Sequence, residues 1–473
     1  MPVSRELDAP ISTSASDGRR LNAADRVMLA VDQALRHIGY PGFQTQAFLC
    51  LGGRVDEREL RAGLIRLSEC HAVTVARLVE KRGGPYWQLR QGARLSLDVI
   101  ELPSDSDAAL HQQAGRLLGV THDPAAEDPV RFHLLRRPDG RDVLLLQYSH
   151  ALMDNNATPL LLAELARCSS SSFGTPLPAE ANGLAVKDRS GSPLTSTGEG
   201  LGVTGKSARD PLWGYVRRHP RRRRRAAVDA ARQRLIATLV YRGTMLGRPT
   251  SRPSASPFGI LSRQLAPAEA RALSLRTRQS CGLPSLSMSI LASVFRAIDR
   301  LAPPGGRDNF AAGIGIDLGL RGPAGPIFQN LMSLVTVRAR PDELADKTGL
   351  IRSLNRQMRE ALASDADLGM AALIGLFARR LHRAIWIAEA CLRYSFSLWY
   401  AYFGAIDMPD EFFGIPVEDA YYAGPCWSPM GVTLLVNQFR GRLRFQATYV
   451  PESVPEPLAN AFLDEVLGDL TRG

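Results

Sequence analysis

Of the eight histidines in the chain, only His150 has an aspartate four positions on, Asp154. Histidine has an unperturbed pKa of about 6.5, so at neutral pH it can take a proton from a hydroxyl or an amine. The spacing also suits a plainer pair, with Asp154 as a helix cap and His150 as a satisfied core residue. Other chemistries lack their residues: the chain has no G-x-x-x-x-G-K-[ST], no H-E-x-x-H and no G-x-S-x-G. Gly313, Gly315 and Gly319 miss the G-x-G-x-x-G spacing and read as a strand passing close to another backbone. The six cysteines (Cys50, Cys70, Cys168, Cys281, Cys391, Cys426) lie far apart with no C-x-x-C pair. That pattern points to reduced thiols of an intracellular protein, not to a disulfide framework or a zinc site.

The elements that must hold His150 are readable around it. The stretch VLLLQYSHALMDNNATPLLLAEL (143–165) is an apolar strand, a short polar turn and a helix. A histidine at the end of a buried strand is held rigidly and can point into a cleft. Upstream, LNAADRVMLAVDQA has helical spacing with Asn22 as its N-cap. TQAFLCLGG is a strand, VDERELRAGLIRLSEC is an amphipathic helix, and PYWQLR closes a strand pair. The stretch after it is acidic and polar, and VRFHLLRR then pairs with the strand before His150. Residues 169–208 are rich in Ser, Gly, Thr and Pro and read as a connector. From residue 257 strands and helices alternate again, ending in the hairpin GVTLLVNQFRGRLRFQATYV and a last helix from Glu456. Alternation of this kind predicts an α/β fold. The division expected is an N-terminal lobe over 1–168, a connector, Arg run and helix over 169–256, and a C-terminal lobe over 257–473.

Composition is that of a folded globular protein, 45% hydrophobic and 22% charged, and 473 residues suggest two or three domains. The net charge is +11, but Arg217, Arg218 and Arg221 to Arg225 supply seven of those charges, leaving +4 elsewhere. So local an excess argues against a nucleic-acid partner, whose basic charge spreads over a face of the fold. The run reads either as a solvated surface or as a peripheral contact with an anionic membrane. The first 20 residues lack the apolar core of a secretory signal. The most apolar region, 370–406, is interrupted by charges, and its last charge-free stretch is 13 residues, short of the about 20 a spanning helix needs. The expected location is cytoplasmic, with peripheral membrane contact and no transmembrane helix.

The segment Ser149-His150-Ala151-Leu152-Met153-Asp154-Asn155 resembles the H-H-x-x-x-D-G motif of the chloramphenicol-acetyltransferase-like superfamily, which includes the condensation domains. The layout is most similar to the wax ester synthase/diacylglycerol acyltransferase-like branch. LNAADRVMLAVDQ resembles its opening helix, IGIDLGLRGPAGPIFQNLMSLVTVR its strand–Arg–loop–Asn–strand segment, and the C-terminal hairpin its closing hairpin. Ser149 stands where the first His would be and Asn155 where the Gly would be; Asn tolerates a left-handed backbone and so preserves the turn. Asp128-Pro129-Val130 replaces the PLW-like motif, and the stretch from Trp399 to Gly404 replaces a Ser-Asn pair.

The resemblance implies two lobes with mixed sheets, an inter-lobe channel, and an acyltransferase of the class that moves groups other than amino-acyl groups, acting in lipid metabolism. His150 would be the general base, taking a proton from a hydroxyl or amine acceptor that attacks an acyl thioester, either acyl-CoA or acyl-carrier protein. Asp154 and Arg321 would form a structural ion pair, with Asp154 ionised and its pKa depressed. Ser149, Asn155, Asn330, Tyr402 and Gly404 would line the turn or channel. No metal and no cofactor beyond the co-substrate are implied. Two other classes suit the same residues: a catalytically silent binding or docking domain, and a peripheral lipid-surface protein.

Overall fold

The computed structural model describes residues 18–81, 84–169, 219–240, 243–248, 250, 258–281, 286–303, 309–317, 327–381 and 396–472. Residues 170–218, which hold most of the expected connector together with Arg217 and Arg218, and residues 318–326, with Gly319 and Arg321, lie outside the described residues. Strand β1 (Gly18–Arg20) leads into α1 (Ala23–His37), which opens with a capping box: Asn22 accepts from the Asp25 N–H and Asp25 accepts from the Asn22 N–H. Strand β2 (Gln44–Leu51) is followed by α2 (Glu57–Cys70), whose Asp56 cap satisfies two N–H groups. Then come β3 (Arg77–Lys81), β4 (Gly84–Gln88), β5 (Leu97–Glu101), α3 (Asp107–Leu118), β6 (Val130–Arg136), β7 (Asp142–Ser149) and α4 (Thr158–Ser169).

After residue 218 come α5 (Arg221–Val240), β8 (Gly259–Leu265), α6 (Pro267–Cys281), α7 (Leu286–Leu301), β9 (Phe310–Asp317) and β10 (Met332–Ala339). The chain ends with α8 (Lys347–Ala363), α9 (Ala366–Leu381), β11 (Leu398–Ala405), β12 (Glu411–Phe412), β13 (Ile415–Ala423), β14 (Val432–Phe439), β15 (Arg442–Tyr449) and α10 (Glu456–Thr471).

Two six-stranded mixed sheets carry the fold. The first has the order β12-β13-β2-β7-β6-β5 and the second β10-β9-β11-β14-β15-β8; β1, β4 and β3 make a small third sheet. Strand β7 is buried along its whole length. Central strands covered on both faces read as unbroken apolar runs, which explains VLLLQYS. Helices α2 and α4 cover one face, setting Leu64, Leu67, Leu161 and Leu165 in the same core as Leu144, Leu146 and Tyr148. Helix α3 covers the other, packing Leu110 and Ala114 with Phe48, Val143 and Leu145. Helix α3 also touches the second sheet so closely that a Cβ on Gly115 would sit 2.6 Å from the Phe258 carbonyl oxygen.

Three features differ from the sequence reading. The polar stretch after β4 holds β5 and α3, with Ser106 capping the helix. The C-terminal strands β12 and β13 leave their neighbours in sequence and join the first sheet, β13 lying antiparallel to β2. Finally, Arg221 to Arg225 do not precede the helix but form its first turns. Arginine is a good helix former, and Arg221, Arg222, Arg223 and Arg225 stay exposed while Ala227 and Ala231 are buried. Among the described residues no helix is long and apolar enough to cross a membrane.

Candidate active site

His150 follows β7 directly and is 9% exposed. Its backbone N–H donates to the Phe43 carbonyl (3.1 Å), and its ring stacks on Phe43 at 5.0 Å between centroids and 5° between planes. Phe43 in turn meets Trp399 of β11 edge-on at 6.4 Å and Trp427, just before β14, at 6.5 Å. The imidazole therefore lies at the junction of the two large sheets, with aromatic walls from both. Burial holds its pKa below the ordinary 6.5, so the ring is neutral at pH 7.

Asn330, immediately ahead of β10, reaches His150 from the second sheet. Its Oδ1 is 3.1 Å from His150 Nδ1, and its Nδ2 donates to the His150 carbonyl at 2.7 Å. The same Nδ2 and the Asn330 backbone N–H both donate to Asp25 Oδ1, each at 2.9 Å. The Asn330 carbonyl accepts from Asn22 Nδ2 at 2.9 Å. The start of α1, the end of β7 and the approach to β10 are thus tied at one residue.

Asp154 is a cap and a tie. Its Oδ1 accepts from the Ala157 N–H at 3.2 Å, and its Oδ2 accepts from the Leu331 N–H at 3.1 Å. Burial pushes its pKa up to about 6, opposite to the depression expected of a carboxylate beside a guanidinium. The expected partner, Arg321, lies outside the described residues. Asn155 does not take the left-handed backbone foreseen for it. It starts a single 3-10 turn capped by Asp154, and its side chain accepts from the Tyr148 hydroxyl while its carbonyl accepts from Tyr422 at 3.1 Å. Asn156 Nδ2 adds a bond to Asp317 of β9 at 3.0 Å.

Ser149 is buried in β7, its N–H donating to the Pro129 carbonyl at 2.8 Å. Tyr402 and Gly404 lie at a bulge in β11, where Gly404 has φ of +68°. Trp399, earlier on that strand, makes the ring contact with Phe43. Sequence reasoning missed Asp25, Phe43 and Trp427, and reached Trp399 only as the start of the stretch that replaces the Ser-Asn pair. Asp25 alone had a local signal, as the third residue after the Asn22 cap. Cys426, beside Trp427, is buried, and burial raises its pKa to about 12, so it carries no thiolate. Among the described residues no group of three or more His, Cys, Asp or Glu is placed to hold a metal ion.

Solved structures share this architecture. A trichothecene 15-O-acetyltransferase (TRI3) from Fusarium sporotrichioides superposes with a TM-score of 0.67 at 12% identity, over 97% of both chains. The first condensation domain of the CDA synthetase gives 0.65 at 15% identity, over 97% of this chain and 96% of that one. A starter condensation domain of rhizomide synthetase RzmA, in complex with C8-CoA, gives 0.63 at 13%, over 97% and 95%. The fold is the two-lobed condensation-domain fold. No family model and no curated protein matches the sequence. At these identities the likeness speaks for the fold alone.

Proposed function

We propose that the chain is an acyltransferase that moves an acyl group from a thioester, on CoA or on a carrier protein, to a hydroxyl or amine. The observation that carries this reading is a neutral, rigidly stacked imidazole at the junction of two sheets. A neutral ring is the form a general base needs. His150 takes the acceptor's proton as its oxygen or nitrogen attacks the thioester carbonyl. The C–S bond then breaks, and the leaving sulfur takes the proton back. With Cys426 held protonated, the acceptor itself is the nucleophile, which suits a ternary complex in which both substrates meet at one histidine.

The reaction class and the donor are taken by analogy from an O-acetyltransferase and a domain complexed with C8-CoA that share the fold. The wax ester synthase-like layout of the sequence favours a lipid acceptor. Contact with an anionic membrane through the exposed arginines of α5 belongs to the same proposal.

Incubating the purified protein with a panel of acyl-CoAs and acceptors should release free thiol. His150→Ala should lower that rate by about 100-fold or more with the fold intact. Undiminished release in the variant would remove His150 as the base, and no release from the parent protein across the panel would leave a silent docking domain as the reading.

A further inference from the structure

We infer that Asp25 and Asn330 are positioning residues for His150: the α1 carboxylate fixes the Asn330 amide, and that amide fixes the imidazole tautomer. The inference rests on the reading of His150 as a base, but its decisive measurement does not. Asp25 is fully buried, and every group around its carboxylate is a donor. Oδ1 receives the Asn330 backbone N–H and Nδ2, while Oδ2 receives the Asn22 N–H at 3.0 Å and Arg19 Nη2 at 3.2 Å. Burial raises the Asp25 pKa, but a proton on either oxygen would face a donor, so this donor set opposes the rise and favours the carboxylate.

The orientation of the Asn330 amide follows. One end faces Asp25 Oδ1 and the His150 carbonyl, both of which only accept, so that end must be the NH2 group. The other end, the carbonyl oxygen, then faces His150 Nδ1. An oxygen cannot donate, and the ring also bonds the His150 backbone carbonyl, so Nδ1 carries the proton and shares it between that carbonyl and Asn330. The remaining lone pair is on Nε2, which is where a base must have it. Stacking on Phe43 keeps the ring from turning over to exchange its nitrogens. Neither Asp25 nor Asn330 touches a reacting atom in this scheme; both act through the ring.

Long-range 1H–15N correlation on histidine-labelled protein reads the tautomer, with His150 assigned by its loss in His150→Gln. The expected spectrum has a pyrrole-like Nδ1 and a pyridine-like Nε2. In Asn330→Ala the signals should move toward a mixture of tautomers, and thiol release should fall by about 10-fold or more. Asn330→Ser, whose hydroxyl is smaller and can donate as well as accept, provides a second variant if the alanine protein does not fold. A pyridine-like Nδ1 in the parent protein, or a pure Nδ1–H tautomer persisting in either variant, overturns the inference. An Nδ1–H ring in a protein that cleaves no thioester would sustain the positioning and remove the acyl-transfer reading. An Nε2–H ring in an active enzyme would do the reverse.

Discussion

Asp154 shows how a single carboxylate can serve as a fastener at a cost that depends on pH. Its two oxygens accept N–H groups from the turn before α4 and from Leu331 at the approach to β10, so it joins the two sheets beside His150. Removing it leaves two buried N–H groups without that acceptor, a loss of about 1–3 kcal/mol each. Against this, burial of the charge lifts its pKa to about 6, so ionisation at neutral pH costs about 3 kcal/mol. The sign is that of a raised carboxyl: its contribution is fullest below the unfolded pKa and is lost as pH rises through the folded one. Asp154→Ala should therefore destabilise modestly at pH 7.5, by about 1–3 kcal/mol, and more at pH 4.5, by about 2 kcal/mol further. Urea unfolding of both proteins at the two pH values checks this. A cost that shrinks on acidification would contradict the assignment.

At the scale of elements, helix α5 turns a charge run into an oriented surface. Ala227 packs with Leu368 and Ala371 of α9, and a Cβ on Gly369 would lie 2.1 Å from the Ala227 carbonyl oxygen, so a glycine is required for the helices to touch. Arg223 is drawn back onto Asp365 at 2.8 Å, while Arg221, Arg222 and Arg225 point outward. Basic residues near an anionic bilayer contribute about 1 kcal/mol each. Changing these three to Gln should weaken flotation with phosphatidylserine-containing vesicles by about 100-fold and leave neutral vesicles unaffected. Equal flotation of both proteins would remove the membrane contact. Elements with strong periodicity, such as β7 and α4, were legible in the sequence because their burial is uniform along the strand or confined to one helical face. Helix α3 was not, since Ser and Asp crowd its N-terminal approach, nor were β12 and β13, which lie among turn-forming residues. The motif at His150 was legible for the same local reasons. The roles of Asp25 and Asn330 were not, because they arise from a contact between residues 305 positions apart, which no local spacing encodes.

For the whole molecule, the return of β13 into the first sheet binds the two halves together, and a buried histidine sits at that seam. His111 of α3 lies 3.1 Å from the Tyr421 hydroxyl of β13, and Tyr421 is flanked by Phe48 at 4.4 Å and the Arg444 guanidinium at 4.3 Å. Burial lowers the His111 pKa to about 4, and that of His122 likewise. The unfolded chain binds these protons near pH 6.5, so the stability each neutral ring contributes is present above that pH and is lost as pH falls toward 4. Asp25, Asp32, Asp142 and Asp154, whose pKa values burial raises, push the other way and blunt the response of the parent protein. The difference between two proteins isolates the ring. His111→Gln keeps a group able to meet the Tyr421 hydroxyl but cannot titrate. Between pH 7.5 and pH 4.5 the parent should lose about 2–3 kcal/mol more unfolding free energy than this variant. Parallel stability curves for the two would show that His111 is as easily protonated in the folded protein as in the unfolded chain, and that the seam between the sheets is open to water.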